Sequence, residues 1–248
     1  MNTFFLDRLN SEPHALAFAG QSTPWPVALA DQSANPALDE ALHTHAAAAQ
    51  ALLYPVSAEL LATTGRPVDL FGFEPNPARL GAAAAASASV PGIALTQLGA
   101  LLDAAALGYN PAQAKPVAVL GHSQGVLAVH MVQAICEAGS IDAAAAKIDE
   151  ILAIATLIGV AGTRQARQLG LAARHGEATP MLSVKDITRA QVDALIERVD
   201  GARGPIAVAV TNSATHYVLS GYPEDLAAFG VEVAKEHKRQ AKLREEKV

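Results

Sequence analysis

The sequence predicts an α/β protein in two parts: a large one over residues 1–178 with a short parallel sheet, and a small one over 179–248. Three observations predict it. The apolar run Pro116–Gly121 leads through Gly121-His122-Ser123-Gln124-Gly125 directly into a helical pattern, which is a strand–turn–helix junction. An earlier apolar run, His14–Gly20, ends in glycine as a buried strand does. From Met181 onward the patterns run strand, helix, strand, strand, helix, the order of a ferredoxin-like split unit that lacks its last strand.

Composition sets the outer bounds. The chain has 248 residues, 51% of them hydrophobic, with a mean hydropathy of +0.22, enough apolar surface for a large core. The balance of 24 acidic against 18 basic residues gives −6, so no overall basic field exists to hold a nucleic acid. One cysteine, Cys136, excludes a disulfide framework and a four-cysteine zinc site. The opening MNTFFLDRLNSEPH lacks the form of a secretory signal, and Ile151–Gly162, read as the greasiest stretch, is too short to span a bilayer. These features predict a cytoplasmic protein with no metal and no membrane partner.

Taken in order, Gln21–Pro26 reads as a loop after the first strand. Asn35 or Pro36 opens a helix through Ala37–Leu53, where Leu38, Leu42, Ala46 and Ala49 recur at helical spacing. A second helix is expected over Ser57–Thr64. Residues 66–92, rich in Pro, Gly and Ala, read as a connector with a weak helix. Leu95, Leu98, Leu101 and Leu102 then mark a helix over Ile93–Leu107. Gly139 stops the helix after the serine motif, and Ser140 or Asp142 caps a long one reaching about Gln168. In the small part, strands are expected at 181–184, 206–210 and 217–220. A helix over 189–199 is capped by Asp186 or Thr188, and another starts at Pro223. The last thirteen residues, with eight charged side chains, read as a solvated continuation of that helix.

The serine motif has the form G-x-S-x-G. A nucleophilic serine must stand on a sharp turn so that its hydroxyl clears the sheet, and the flanking glycines leave room for that turn and for the helix behind it. The helix start places free N–H groups near the charge that develops when a carbonyl is attacked. The large part is therefore expected to be α/β-hydrolase-like, with Ser123 as nucleophile. Acyl transfer needs a second oxyanion donor besides the amide of Gln124, and the Gly20-Gln21 loop after the first strand is a candidate.

Three segments carry a family resemblance. AFAGQST (17–23) resembles the F-x-G-Q-G-S opening of malonyl/acetyl-CoA:acyl-carrier-protein transferases, VLGHSQG (119–125) their G-H-S-x-G elbow, and TNSATHYVLSG (211–221) their N-S-x-x-x-x-V-[IV]-S-G segment. With LIGVAGTRQAR downstream, the chain looks most like the N-terminal acetyltransferase domain of actinobacterial and fungal type I fatty acid synthases. The resemblance implies a ping-pong reaction. Ser123 takes an acyl group from acyl-CoA and the phosphopantetheine of an acyl carrier protein collects it, while backbone amides of Gln21 and Gln124 hold the oxyanion. His122, Ile158 and Asn212 are the implied substrate-binding residues. No covalently bound cofactor is implied. The implied setting is a homohexameric synthase, with acetyl-CoA and a carrier domain as partners. A thioesterase or serine hydrolase, and a non-catalytic part of a megasynthase, are the alternative readings.

Two departures sharpen the expectation. Malonyl-specific members carry an arginine after the elbow to grip the malonyl carboxylate; here the aligned stretch is Thr156-Leu157-Ile158-Gly159, so an uncharged short acyl group, acetyl, is the expected cargo. Arg164, six residues on, reads as a surface residue. The family's base histidine sits in a G-x-x-F-H segment downstream, and none of the eight histidines here matches it. The chain therefore reads as an incomplete copy of the domain, expected to transfer weakly by itself.

Overall fold

A computed structural model describes residues 3–20, 24–53, 86–168, 181–199 and 204–245. The chain divides into two compact units between Arg167 and Gln168. The expected boundary at 178/179, the helix over Ser57–Thr64 and the connector from 66 to 85 lie outside the described residues.

The first unit begins with helix α1 (Thr3–Ser11) and strand β1 (Ala15–Phe18). Two helices follow, α2 (Trp25–Ser33) and α3 (Pro36–Leu52). Helix α2 was not foreseen, because Trp25-Pro26 reads as loop. Pro26 sits in its first turn, where a missing N–H leaves no bond unmade. Helix α3 starts where expected: the Asn35 side chain accepts from the Ala37 amide at 3.2 Å.

Helix α4 (Ala86–Ala106) corrects the expected connector over 86–92. Pro91 and Gly92 lie inside it, and Ser87, Ala88, Ser89 and Val90 are buried. Local composition favours a loop there, but burial against neighbouring helices outweighs propensity. A methyl on Gly92 would meet the Trp25 ring at 2.5 Å, and one on Gly159 of a later helix would strike the Ala86 carbonyl, so both neighbours approach at glycine distance. By length and composition α4 is also apolar enough to cross a membrane, more so than the Ile151–Gly162 stretch; 72% of its apolar window is buried in the protein.

Helix α5 (Pro111–Ala114) is a single turn that repeats the Asn-Pro start of α3, with Asn110 capping Ala112 at 2.9 Å. Then come β2 (Ala118–Gly121), a 3-10 turn (Ser123–Gly125), α6 (Val126–Ala138) and α7 (Ile141–Gln168). Gly139 ends α6 with φ +91°, a left-handed cap that suits glycine. Of the two expected caps for α7, Ser140 serves, accepting from the Ala143 amide at 3.2 Å. Strands β1 and β2 pair in parallel, from Ala15 opposite Ala118 to Phe18 opposite Gly121. Leu42, Leu95, Leu98, Met131, Ile135 and Ile148 are almost fully buried at the centre of the core. At its edge His45 of α3 meets Asp149 of α7 at 2.6 Å, a largely buried pair that ties these helices together.

The second unit holds β3 (Met181–Lys185), α8 (Arg189–Val199), β4 (Ala207–Ser213), β5 (His216–Ser220) and α9 (Pro223–Glu245). The sheet is antiparallel in the order β3-β5-β4, which puts the third strand between the other two as a split β-α-β unit requires. Strands β4 and β5 run longer than expected, with bulges near Val208/Val210 and Thr211/Ser213. Thr188, not Asp186, caps α8 in a reciprocal box: the Gln191 amide side-chain oxygen accepts from the Thr188 amide at 2.9 Å and the Thr188 hydroxyl accepts from the Gln191 amide at 3.4 Å. Phe229, Leu195, Leu219, Val192 and Ile187 form a separate core on one face of the sheet. The charged C-terminal stretch continues α9 but is not wholly solvated. Glu236 is buried and accepts from Arg239, Gln240 and Gln191. The Arg239 bond first, then Gln240 and Gln191, holds its carboxyl down to about 2 against the opposing effect of burial.

Candidate acyl-transfer site

Among the described residues, the parallel pair β1–β2 leads directly into a turn. The ladder runs one step past β2, where the His122 amide donates to the Phe18 carbonyl at 3.0 Å. The chain then reverses. Ser123 takes φ +54°, a left-handed conformation that costs an L residue roughly 1–3 kcal/mol. The Gly125 amide closes the turn onto the His122 carbonyl at 2.9 Å, and α6 begins. The Ser123 side chain is exposed, as a nucleophile on such a turn must be.

Three glycines make the turn possible. A methyl on Gly121 would lie 2.6 Å from the Gly125 carbonyl group and from the Val126 nitrogen. One on Gly125 would enter the carbonyl of Phe18 and stand 2.9 Å from that of Ala19. One on Gly20 would lie 2.6 Å from the His122 carbonyl oxygen, 2.8 Å from Ser123 Cβ and 3.3 Å from the Gln124 nitrogen. The end of β1 therefore lies directly against the serine and the Gln124 amide. Gln21, the expected second oxyanion donor, is outside the described residues, but Gly20, which precedes it, is in place beside the turn.

One supporting residue escaped the sequence reading. Gln97 of α4 is buried and donates through Nε2 to the Ala19 carbonyl at 2.5 Å, fixing the segment that leads into Gly20. The available signal was a glutamine within the apolar stripe of Leu95, Leu98 and Leu101. Its Oε1, like that of Gln124, is buried and unpartnered.

The remaining candidates fall elsewhere. His122 caps the turn and is exposed. Ile158 is half exposed on α7, beside exposed Ile154 and Leu157 on one helical face. Asn212 belongs to the second unit, where its amide nitrogen lies 3.4 Å from His216 Nε2. Three imidazoles of the first unit have partners of their own: His14 with Tyr109, His43 with the Asp39 carbonyl and His45 with Asp149. Arg164 is exposed, as expected. Among the described residues, no group of three or more His, Cys, Asp or Glu is placed to hold a metal.

A parallel strand, a left-handed serine between glycines and a helix start together define an α/β protein with a strand–turn–helix elbow that presents an exposed serine. The model of the family described as starter unit:ACP transacylase in aflatoxin biosynthesis matches residues 74–246. The chain belongs to that starter-unit transacylase family. It is also 30% identical over 128 residues to a fatty acid synthase beta subunit, hexB, of Dothistroma septosporum, a match covering 46% of this chain and 7% of that subunit. Two solved structures share the fold. The malonyl CoA-acyl carrier protein transacylase of Coxiella burnetii gives a TM-score of 0.52 at 17% identity, covering 91% of this chain and 58% of its own. A malonyl-transacylase solved in complex with a type II polyketide acyl carrier protein gives 0.52 at 16%, covering 91% and 60%. The chain thus spans less than two thirds of these relatives' lengths.

Proposed function

We propose that this chain carries the acyl-accepting serine of an acyl-CoA:acyl-carrier-protein transacylase that loads an uncharged short acyl group, acetyl. Ser123 attacks the thioester carbonyl, coenzyme A leaves, and the phosphopantetheine thiol of a carrier protein collects the acyl group. The amide of Gln124 holds the oxyanion, with that of Gln21 as its partner. Family membership supports transfer to a carrier, and isoleucine rather than arginine at position 158 supports an uncharged cargo. The homohexameric, cytoplasmic synthase implied by the sequence is the setting we propose for it.

The observation that carries the reading is Ser123 at φ +54° with Gly20 and the Gln124 nitrogen packed against it. Incubation with acetyl-CoA followed by peptide mass mapping tests it. An acetyl ester on Ser123, absent in Ser123→Ala and discharged by a phosphopantetheinylated carrier protein, is expected. An ester discharged only by water would favour a thioesterase. Absence of any Ser123 ester, even when the chain is supplied within its full-length synthase, would leave a structural part.

A further inference from the structure

The second unit contains another serine paired with an imidazole. Ser183 lies on β3 and His216 on β5, two register steps apart on the diagonal: Ser183 is opposite Val218, and His216 is opposite Lys185. Both side chains stand on the sheet face opposite Val184, Tyr217 and Leu219, which fill the core. Ser183 Oγ is 2.9 Å from His216 Nε2, and Ser183 is exposed.

Asn212 Nδ2 lies 3.4 Å from the same Nε2. With that nitrogen unprotonated, the Ser183 hydroxyl donates to it, the arrangement of a nucleophile and its general base on an exposed face of the sheet.

We propose that Ser183 is a second acyl-accepting hydroxyl, activated by His216, with short acyl thioesters as donors. The Ser183 oxygen bonds to the thioester carbonyl carbon as its proton passes to His216 Nε2. The C–S bond breaks, and the departing thiolate takes that proton back, leaving an ester on Ser183 and a free thiol. Without a pair of backbone amides aimed at its oxyanion, such a hydroxyl acylates about 100- to 1,000-fold more slowly than a serine with an oxyanion hole. The proposal does not depend on Ser123.

The test uses the full chain carrying Ser123→Ala, with acetyl-CoA as donor and peptide mass mapping as readout. Ser11 is the internal control: it is exposed, and its hydroxyl donates to the Asp7 carbonyl at 2.6 Å with no imidazole. Ser183 is expected to acquire acetyl at least tenfold faster than Ser11, and His216→Ala to bring it down to the Ser11 rate. Equal rates at Ser183 and Ser11 in the Ser123→Ala chain overturn the proposal, whatever the folding of the histidine variant. So does a fast Ser183 that survives loss of His216. An ester at Ser123 of the unaltered chain but none at Ser183 would sink this inference and leave the elbow reading standing.

Discussion

Substitution of Gly125 by alanine sets two effects against each other. The backbone there is ordinary right-handed helix, φ −58° and ψ −16°, so alanine fits the dihedrals. Propensity alone predicts a gain of roughly 0.5–1 kcal/mol, mostly from a less flexible unfolded chain. Sterics predict the reverse. The new methyl would enter the Phe18 carbonyl and stand 2.9 Å from the Ala19 oxygen, and every atom it meets is backbone of β1 and its continuation. A rotamer change cannot relieve that contact, so β1 must move off the turn. Such overpacking costs about 1–3 kcal/mol; against backbone that cannot yield by a rotamer change the upper part of that range applies, so sterics win by about 1–2 kcal/mol. For a unit of this size that lowers the melting midpoint by roughly 2–8 °C. Trp25 makes the measurement clean: it is the one tryptophan in the chain, 3% exposed in the core of the first unit, so its fluorescence follows that unit alone. Because β1 carries Gly20 against Ser123, acetylation of Ser123 should fall more than tenfold in the same variant. A midpoint equal to or above that of the parent, with acetylation intact, would refute the interlocked-glycine account.

Other substitutions separate further links. Gly92→Ala drives a methyl into the Trp25 ring at 2.5 Å; a loss of about 1–3 kcal/mol and a shifted emission maximum are expected in urea titration. His45→Ala leaves Asp149 short of its 2.6 Å partner at a largely buried site, at a cost of about 1–3 kcal/mol by the same titration. Thr188→Ala removes half of the α8 capping box and should cost about 1 kcal/mol, read by circular dichroism. Glu236 titrates near 2 when folded and near 4.5 when unfolded, so its contribution is full above about pH 4.5 and is lost as pH falls toward 2. Between pH 5 and 2 the midpoint of Glu236→Gln should therefore fall less steeply than that of the parent.

What was legible in the sequence was local. The elbow was readable because its requirements sit within five residues: a serine in a left-handed turn, and glycines where backbone must meet backbone. Helix starts at Asn35, Ser140 and Thr188 were readable to within two candidate residues each for the same reason, since a cap is a contact between near neighbours. Helix α2 went unread and residues 86–92 of α4 were read as a connector with a weak helix, because Pro24, Pro26, Pro91, Gly92 and the serines carry turn propensity. Trp25 packing on Gly92 and Gly159 packing on Ala86 overrule that propensity, and neither contact leaves a local trace. Gln97 was missed likewise: its role is set by the carbonyl of Ala19, 78 positions away.

The same distinction bears on the chemistry. Ser123 is held by a set of contacts within the first unit, Phe18 to His122, His122 to Gly125 and Gly20 against Ser123, made by backbone and by glycines that leave room for it. Such a turn places its hydroxyl regardless of which acyl group arrives. Cargo choice is a different matter: in the proposed reading it falls to side chains such as the exposed Ile154, Leu157 and Ile158, which lie outside the turn. An arginine at 158 would therefore be expected to change which thioester reacts, and to leave the Ser123 turn and the Trp25 melting midpoint as they are. Competition between acetyl-CoA and malonyl-CoA for the Ser123 ester reads the first, and fluorescence the second. If Ile158→Arg lowered both esters equally, that face of α7 would have no part in selecting the acyl group.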